Sequence, residues 1–343
     1  MRAVRLAGKN DLRVLSVPDP AVGPGEVLVR VRAAMICGTD VRMLRNGAKV
    51  LPITLGHELA GVIEEIGPAV QGYRRGQAVA VAPNYGCGAC DQCVAGRTQH
   101  CAELKAIGIH VDGGFAELVR VPAAAVAQGN VCPVPEGLSF AEAALAEPLS
   151  CVYASFERAR LVPGESVLVI GAGPIGLLHA KLYRMAGAGL VMIHDLNEAR
   201  LAVCAKDDPS FVTLGPDRVK ERVAELTGGR GADVVVTAAS SPATQQLAFA
   251  VPALDARVIF FGGLPAGQEV VPLDTNVIHY KQITVTGTTR QSLSQYRQCL
   301  RMLGSGRLKV AGVVTGTHPL EAAQDAFAAA ARGEGLKSGF VLA

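Results

Sequence analysis

Polar and apolar positions alternate through the first third of the chain, and the middle carries unbroken apolar runs. In 27–31 apolar and basic residues alternate, and further apolar runs follow at 61–66, 78–81 and 115–121, separated by Gly and Pro. A period of two predicts half-buried strands, so this part reads as a β-rich domain of mixed topology. Around Pro148 the texture changes. Ser166-Val167-Leu168-Val169-Ile170 is apolar along nearly its whole length, as strands buried on both faces of a parallel sheet are. A helix is predicted over 174–187. Further apolar strands recur at 190–193, 211–214, 233–236, 257–261 and 283–286, with helical stretches between most of them. That alternation predicts a doubly wound α/β sheet. Beyond Thr288 a helix at 295–303, a strand at 310–315 and a helix at 320–332 are expected to return to the first domain. The expected organisation is therefore an α/β chain with a β-rich domain at 1–150, a Rossmann domain at 151–289, and a segment at 290–343 completing the first.

Half of the 343 residues are hydrophobic and 18% are charged, a globular composition with material for two cores. The excess of 33 basic over 30 acidic residues, a net charge of +3, is too small to imply nucleic acid or an anionic membrane surface. No uninterrupted apolar stretch is long enough for a bilayer, and Met1-Arg2-Ala3-Val4-Arg5 alternates like a strand and not like a leader, so a cytoplasmic location is expected. Four of the nine cysteines crowd into 87–101, which favours metal ligation over disulfides. Cys132, Cys151, Cys204 and Cys299 fit no ligand spacing and read as reduced thiols acting as small hydrophobes.

Gly171-Ala172-Gly173-Pro174-Ile175-Gly176 follows a predicted strand and opens a predicted helix. In that context G-x-G-x-x-G is a dinucleotide fingerprint. Gly171 allows the tight turn, Gly173 lets the backbone approach a pyrophosphate, and Gly176 permits close packing of helix on strand. The helix start, with Pro174 and Ile175, offers free N–H groups to the phosphates. Asp195, nineteen residues beyond Gly176, is placed to accept from ribose hydroxyls and to repel a 2′-phosphate, so NAD(H) is expected as the cofactor. Arg200 either stacks on adenine or belongs to a solvated helix face.

Cys87, Cys90, Cys93 and Cys101 have the spacing C-x2-C-x2-C-x7-C, which closes a tetrahedral thiolate shell around a structural zinc. A second constellation comprises Cys37 in C-G-T-D, His57 in G-H-E-L-A-G and Glu147 in A-E-P-L. Cysteine, histidine and carboxylate would make a three-ligand zinc with a fourth position open, as catalysis requires. Such a site is expected in the cleft between the domains.

The ordered set C-G-T-D, G-H-E-x-x-G, the four-cysteine loop, E-P-L and G-A-G-P-I-G resembles the zinc-dependent medium-chain dehydrogenases over nearly the whole chain. Glu followed by Pro-Leu at the third zinc position is similar to the polyol branch, and 45–48 with 52–58 resembles galactitol-1-phosphate dehydrogenases. The resemblance implies a GroES-like catalytic domain plus a Rossmann domain, assembled as homodimers or homotetramers. It implies two zinc ions per chain, one on Cys37, His57 and Glu147 and one on Cys87, Cys90, Cys93 and Cys101. Glu58 would be a nearby carboxylate or alternate ligand, and Thr39 would bond the substrate alcohol and pass on its proton.

Two positions depart from that pattern. Arg42 stands where many relatives end the proton relay with a histidine, and arginine cannot serve as a base. Met43 replaces an aromatic that lines the sorbitol dehydrogenase pocket. The expected reaction is oxidation of a polyol or polyol phosphate, with zinc as Lewis acid and hydride transfer to the nicotinamide. Arg42, Arg45 and Lys49 either select an anionic substrate or form a solvated basic loop. Arg290 is a further candidate contact to cofactor or substrate. Alternatives are a threonine or aminocyclitol dehydrogenase of the same family and a non-catalytic zinc-stapled protein.

Overall fold

The computed structural model describes all residues, Met1–Ala343. Two compact units are present, Met1–Ser150 with Gln291–Ala343, and Cys151–Arg290. No helix is long and apolar enough to cross a membrane.

The first unit is built around the strand Val27–Met35. Its antiparallel partner Glu58–Ile66 runs with Arg30 opposite Val62 and Met35 opposite Glu58. The other edge of Val27–Met35 is shared by Leu118–Val121 and by Lys337–Val341, which sets Gly339 against Met35. Ala78–Val81 and Val131–Pro133 extend the sheet beyond Glu58–Ile66, and Val314–His318 lies parallel to Lys337–Val341. Val27, Val29 and Val31 are buried while Arg30 and Arg32 are half-exposed, so the alternating pattern became an inside and an outside face. A three-stranded sheet of Asp11–Ser16, Arg2–Gly8 and Ile53–Thr54 packs into the same core. Phe115 meets Phe340 edge to face at 4.9 Å and Phe327 at 5.8 Å. Those contacts, worth about 1 kcal/mol each beyond burial, fasten the last fifty residues to the first hundred and fifty.

One expected element came out differently, and one helix was not expected. Residues 310–315 read as one strand, but Ala311–Val313 is a 3-10 turn and the strand is Val314–His318. Val310 and Val313 are both fully buried, so packing of these two side chains overrides their alternation. Gly38–Asn46 is a helix that apolar periodicity did not reveal, because its inward face mixes buried Asp40 with partly buried Val41, Met43 and Leu44.

The second unit is a six-stranded parallel sheet. Its spatial order is Val212–Leu214, Leu190–His194, Ser166–Ile170, Ala232–Thr237, Pro252–Phe260 and Thr284–Gly287. Numbered along the chain this is 3-2-1-4-5-6, the dinucleotide-binding order, with the reversal between Ser166–Ile170 and Ala232–Thr237. The helix Pro174–Met185 follows the first strand and buries Leu177, Leu178, Leu182 and Tyr183.

One buried group on that helix makes this unit acid-sensitive. The His179 ring faces Ile175 O at 2.9 Å and Ser155 Oγ at 3.1 Å, with no carboxylate bonded to it. Burial pushes its pKa down to about 4. The unfolded chain therefore binds a proton between about pH 6.5 and 4 that the folded chain refuses. Stability is complete above the unfolded value and declines as pH falls, by on the order of 3 kcal/mol once pH reaches the folded value. We expect His179→Gln to flatten the difference in denaturation midpoint between pH 7 and pH 4.5. An unchanged slope would show that His179 is not the group responsible.

Candidate active site

Cys37 lies just past the end of Val27–Met35 and is the N-cap of the helix Gly38–Asn46, while His57 immediately precedes Glu58–Ile66. The register that sets Met35 opposite Glu58 therefore brings Cys37, His57 and Glu58 together, although His57 and Glu58 lie 20 and 21 residues beyond Cys37. One ligand atom from each lies within 4.8 Å of the others. His57 and Glu58 are buried, and Cys37 is half-buried.

Asp40 holds this corner. Its Oδ2 accepts from the Cys37 backbone N–H at 2.8 Å, the N3 acid reaching back to the N-cap, and its Oδ1 stands 3.4 Å from His57 Nδ1 without a well-formed hydrogen bond. Lys337 Nζ donates to Glu58 Oε1 at 2.7 Å and to Ile36 O at 3.1 Å. Glu58 Oε2 is buried with no hydrogen-bond partner. Burial alone would depress the His57 pKa, but the Asp40 carboxylate and the Cys37 thiol outweigh it and raise it well above the ordinary value. A field that favours positive charge, a buried carboxylate oxygen left over and converging sulfur, nitrogen and oxygen donors fit a divalent cation.

Glu147 opens the helix Ala146–Ala159 and is buried. Its Oε1 accepts from Gln291 Nε2 at 3.0 Å, and Gln291 Oε1 accepts from Asn84 Nδ2 at 3.2 Å. Burial pushes its pKa up to about 7, against the pull of His57. Its carboxylate is within electrostatic reach of His57, Glu58 and Lys337 but outside the tight Cys37–His57–Glu58 cluster.

Thr39 is the second helical residue, and its Oγ1 accepts from Arg42 Nη2 at 2.8 Å. Arg45 turns instead to Ala331 O at 3.3 Å, at the end of the helix Ala323–Arg332. Met43 packs against the core of this unit, Lys49 is exposed, and Arg290 is exposed with a left-handed φ of 58°.

The sulfurs of Cys87, Cys90, Cys93 and Cys101 lie within 4.8 Å of one another. Backbone N–H groups of Ala89 and Cys90 lower the Cys87 thiol to about 7, while burial pushes Cys93 up to about 12. A Cβ on Gly86 would stand 2.5 Å from Cys93 Sγ and 3.1 Å from Cys101 Sγ, so only glycine leaves room for the cluster. Four cysteines with no fifth donor fit a closed, structural zinc.

In the second unit the glycine loop lies at the strand reversal. Gly171 has φ 118°, and a Cβ there would meet Ala238 at 3.1 Å. A Cβ on Gly176 would stand 1.7 Å from Gly171 O. Gly173 is different: the one atom near its Cβ position is Arg200 Nη1 at 3.9 Å, leaving the helix start open for a phosphate group. Asp195 Oδ2 accepts from Ala172 N at 2.6 Å and Oδ1 from Asn197 N at 2.8 Å, so the carboxylate is fixed beside the loop. These distances separate two substitutions. Gly176→Ala should disrupt the loop and lower the thermal midpoint. Gly173→Ala should fold normally and raise KM for the dinucleotide at least about tenfold, through steric loss of the phosphate approach. Equal thermal and kinetic behaviour of the two variants would contradict this assignment.

Asp40, Lys337 and Gln291 were not singled out by sequence. Asp40 carried a signal, the spacing of a capping acid three residues after Cys37. Lys337 and Gln291 lie 279 and 144 positions from the groups they bond, with no local motif.

Residues 23–135 match the alcohol dehydrogenase GroES-like domain, and residues 174–305 match the zinc-binding dehydrogenase model. Sorbitol dehydrogenase of Bacillus subtilis is 31% identical over 333 residues, 95% of this chain and 92% of that protein. L-threonine 3-dehydrogenase of Bacillus velezensis is 34% identical over 315 residues, 89% of this chain and 88% of that protein. Among solved structures, a zinc-binding dehydrogenase from Sinorhizobium meliloti bound to NADP superposes with a TM-score of 0.92 at 30% identity, covering 99% of each chain. The chain belongs to the zinc-dependent medium-chain alcohol dehydrogenases, oxidoreductases that work with zinc and a nicotinamide dinucleotide.

Proposed function

We propose that this protein oxidises a secondary alcohol of a polyol or polyol phosphate to the ketone, with NAD+ as hydride acceptor. The observation that carries the reading is the cluster of Cys37, His57 and Glu58, with buried Glu147 in electrostatic reach of His57. Cys37, His57 and Glu147 would hold the catalytic zinc, Glu58 would serve as a neighbouring or alternate carboxylate, and Cys87, Cys90, Cys93 and Cys101 would hold the structural one. When bound, the catalytic zinc supplies Lewis acidity to the alcohol, and the dinucleotide accepts the hydride.

The chain's own residues do the rest. Asp40 Oδ1, 3.4 Å from His57 Nδ1, is placed to orient the ring electrostatically, in the way neighbouring carboxylates orient metal-ligating histidines. Gln291 fixes the Glu147 carboxylate, and Lys337 fixes Glu58. Thr39 would accept a hydrogen bond from the reacting alcohol and pass its proton on to solvent water. Asp195, Gly173 and the start of Pro174–Met185 support an NAD(H) site, since a carboxylate beside the ribose disfavours a 2′-phosphate. Glu147 in Glu-Pro-Leu favours polyols over threonine.

The test is a screen of polyols, polyol phosphates and L-threonine with NAD+ and NADP+, read by absorbance of the reduced cofactor. Turnover of a polyol or its phosphate with NAD+ is expected. Turnover of threonine alone would move the chain to the threonine branch, and two bound zinc ions without reduction by any alcohol would favour a non-catalytic role. We propose a homodimer or homotetramer, which light scattering would settle.

A further inference from the structure

We propose that Arg42 is a specificity-determining residue whose guanidinium binds an anionic substituent, a phosphate or a carboxylate, on the alcohol that is oxidised. The proposal rests on the dehydrogenase reading above and names the substrate class of that same site.

The cluster of Cys37, His57 and Glu58 is closed on one side and open on the other. His57, Glu58 and Asp40 are buried, whereas Cys37 and Thr39 are half-buried and Gly38 is exposed. The turn Cys37-Gly38-Thr39 is therefore the solvent-facing edge of the cluster. Arg42 covers that turn. Its Nη2 donates to Thr39 Oγ1 at 2.8 Å, and its Nη1 lies 3.8 Å from the Cβ position of Gly38. The helix itself sets this placement, because residues three apart share one face, while Val41, Met43 and Leu44 hold the helix against the core.

Charge gives the second step. Arg30 is paired with Glu64 and Arg257 with Glu165, and Lys337 is consumed by Glu58. Arg42 is exposed and forms no ion pair. Arg45 and Lys49, its neighbours in the same basic segment, are not at the turn: Arg45 bonds Ala331 O, and Lys49 lies beyond the helix. The structure thus singles out one of three candidates. One N–H of the guanidinium is spent on Thr39, and the remaining donors form the planar fork that fits phosphate or carboxylate.

The same contact bears on Thr39. Arginine keeps its proton and cannot receive one, so a proton handed to Thr39 has no onward acceptor there. With one lone pair taken by Arg42, the Thr39 hydroxyl keeps a second to accept from the reacting alcohol, and the proton leaves through its own O–H to solvent water, since Thr39 is half-buried.

The experiment compares a polyol, its terminal phosphate monoester and the matching aldonate as substrates of the zinc-loaded wild type, Arg42→Gln and Arg42→Lys. The wild type should favour one anionic form over the neutral polyol at least about tenfold in kcat/KM, less so at high salt. Arg42→Gln should erase most of that preference, chiefly through KM for the anionic substrate, and Arg42→Lys should restore part of it. The better of phosphate and aldonate identifies the anion. A preference that persists unchanged in Arg42→Gln, or that the wild type lacks, would overturn the proposal. Calorimetric binding of inorganic phosphate provides an arm independent of turnover. Binding at least about tenfold weaker in Arg42→Gln supports the anion site; equal or undetectable binding in both proteins refutes it. Failure to oxidise any alcohol, with phosphate binding still dependent on Arg42, would sink the polyol reading and leave the anion site standing.

Discussion

His57→Ala should lower kcat/KM by about a thousandfold or more, close to 4 kcal/mol of lost transition-state stabilisation, and reduce bound zinc from about two ions per chain to about one. The imidazole is buried and lies in the one three-donor cluster outside the cysteine loop, and alanine offers no donor in its place. The second zinc should remain, because its four sulfurs come from a separate loop. Asp40→Asn provides the graded control. It leaves the imidazole in place and weakens only its orientation, which for histidine ligands typically costs about ten- to a hundredfold in metal affinity or activity. The Asn amide oxygen can still accept from the Cys37 backbone N–H, so the variant should keep the helix cap and lose little stability. The decisive measurements are metal content by mass spectrometry and steady-state kinetics on the same preparations. Two retained zinc ions with activity within tenfold of wild type would place the catalytic ion elsewhere.

What could be read from sequence follows the range over which each feature is encoded. The cofactor loop was legible because its requirements are local: a turn at Gly171, an open start at Gly173 and close packing at Gly176 sit within six residues between one strand and one helix. The cysteine loop was legible for the same reason, although the need for glycine at Gly86, against the Cys93 sulfur, emerges only in three dimensions. The cluster of Cys37, His57 and Glu58 was suggested by motif and explained by register, since the pairing of Met35 with Glu58 turns a separation of twenty residues into proximity. The residues that fix its charges were not legible. Lys337 reaches Glu58 because the last strand adds to the edge of Val27–Met35, and no pattern within either segment announces that pairing. Arg42 was visible as a departure from the family pattern, but only its contact with Thr39, and the turning away of Arg45, separated it from its basic neighbours.

Lys337→Met should destabilise the protein by about 3–5 kcal/mol, the usual consequence of leaving one member of a buried ion pair without its partner. Lys337 and Glu58 are 4% and 0% exposed at the side chain and 2.7 Å apart, so water cannot replace the lost ammonium. The Ile36 carbonyl loses its donor in the same step. Lys337→Met combined with Glu58→Gln removes both charges, and most of the loss should be recovered, because an uncharged pair no longer carries the desolvation penalty. Denaturant midpoints of the wild type, both single variants and the double variant close this cycle. If the double variant is no more stable than Lys337→Met alone, the pair is not the source of the effect. The cycle also reads the charge environment of the site. Glu58 Oε2 has no protein donor, so a divalent ion in the adjacent cluster, with twice the charge of a protonated His57, would compensate the carboxylate best once Lys337 is gone. The penalty of Lys337→Met should therefore be smaller in zinc-loaded than in chelator-treated protein. Loss of the structural zinc on chelation affects wild type and variant alike and cancels in the difference. An equal penalty in both states would mean that the Glu58 carboxylate does not feel the ion, and would exclude it as an alternate ligand.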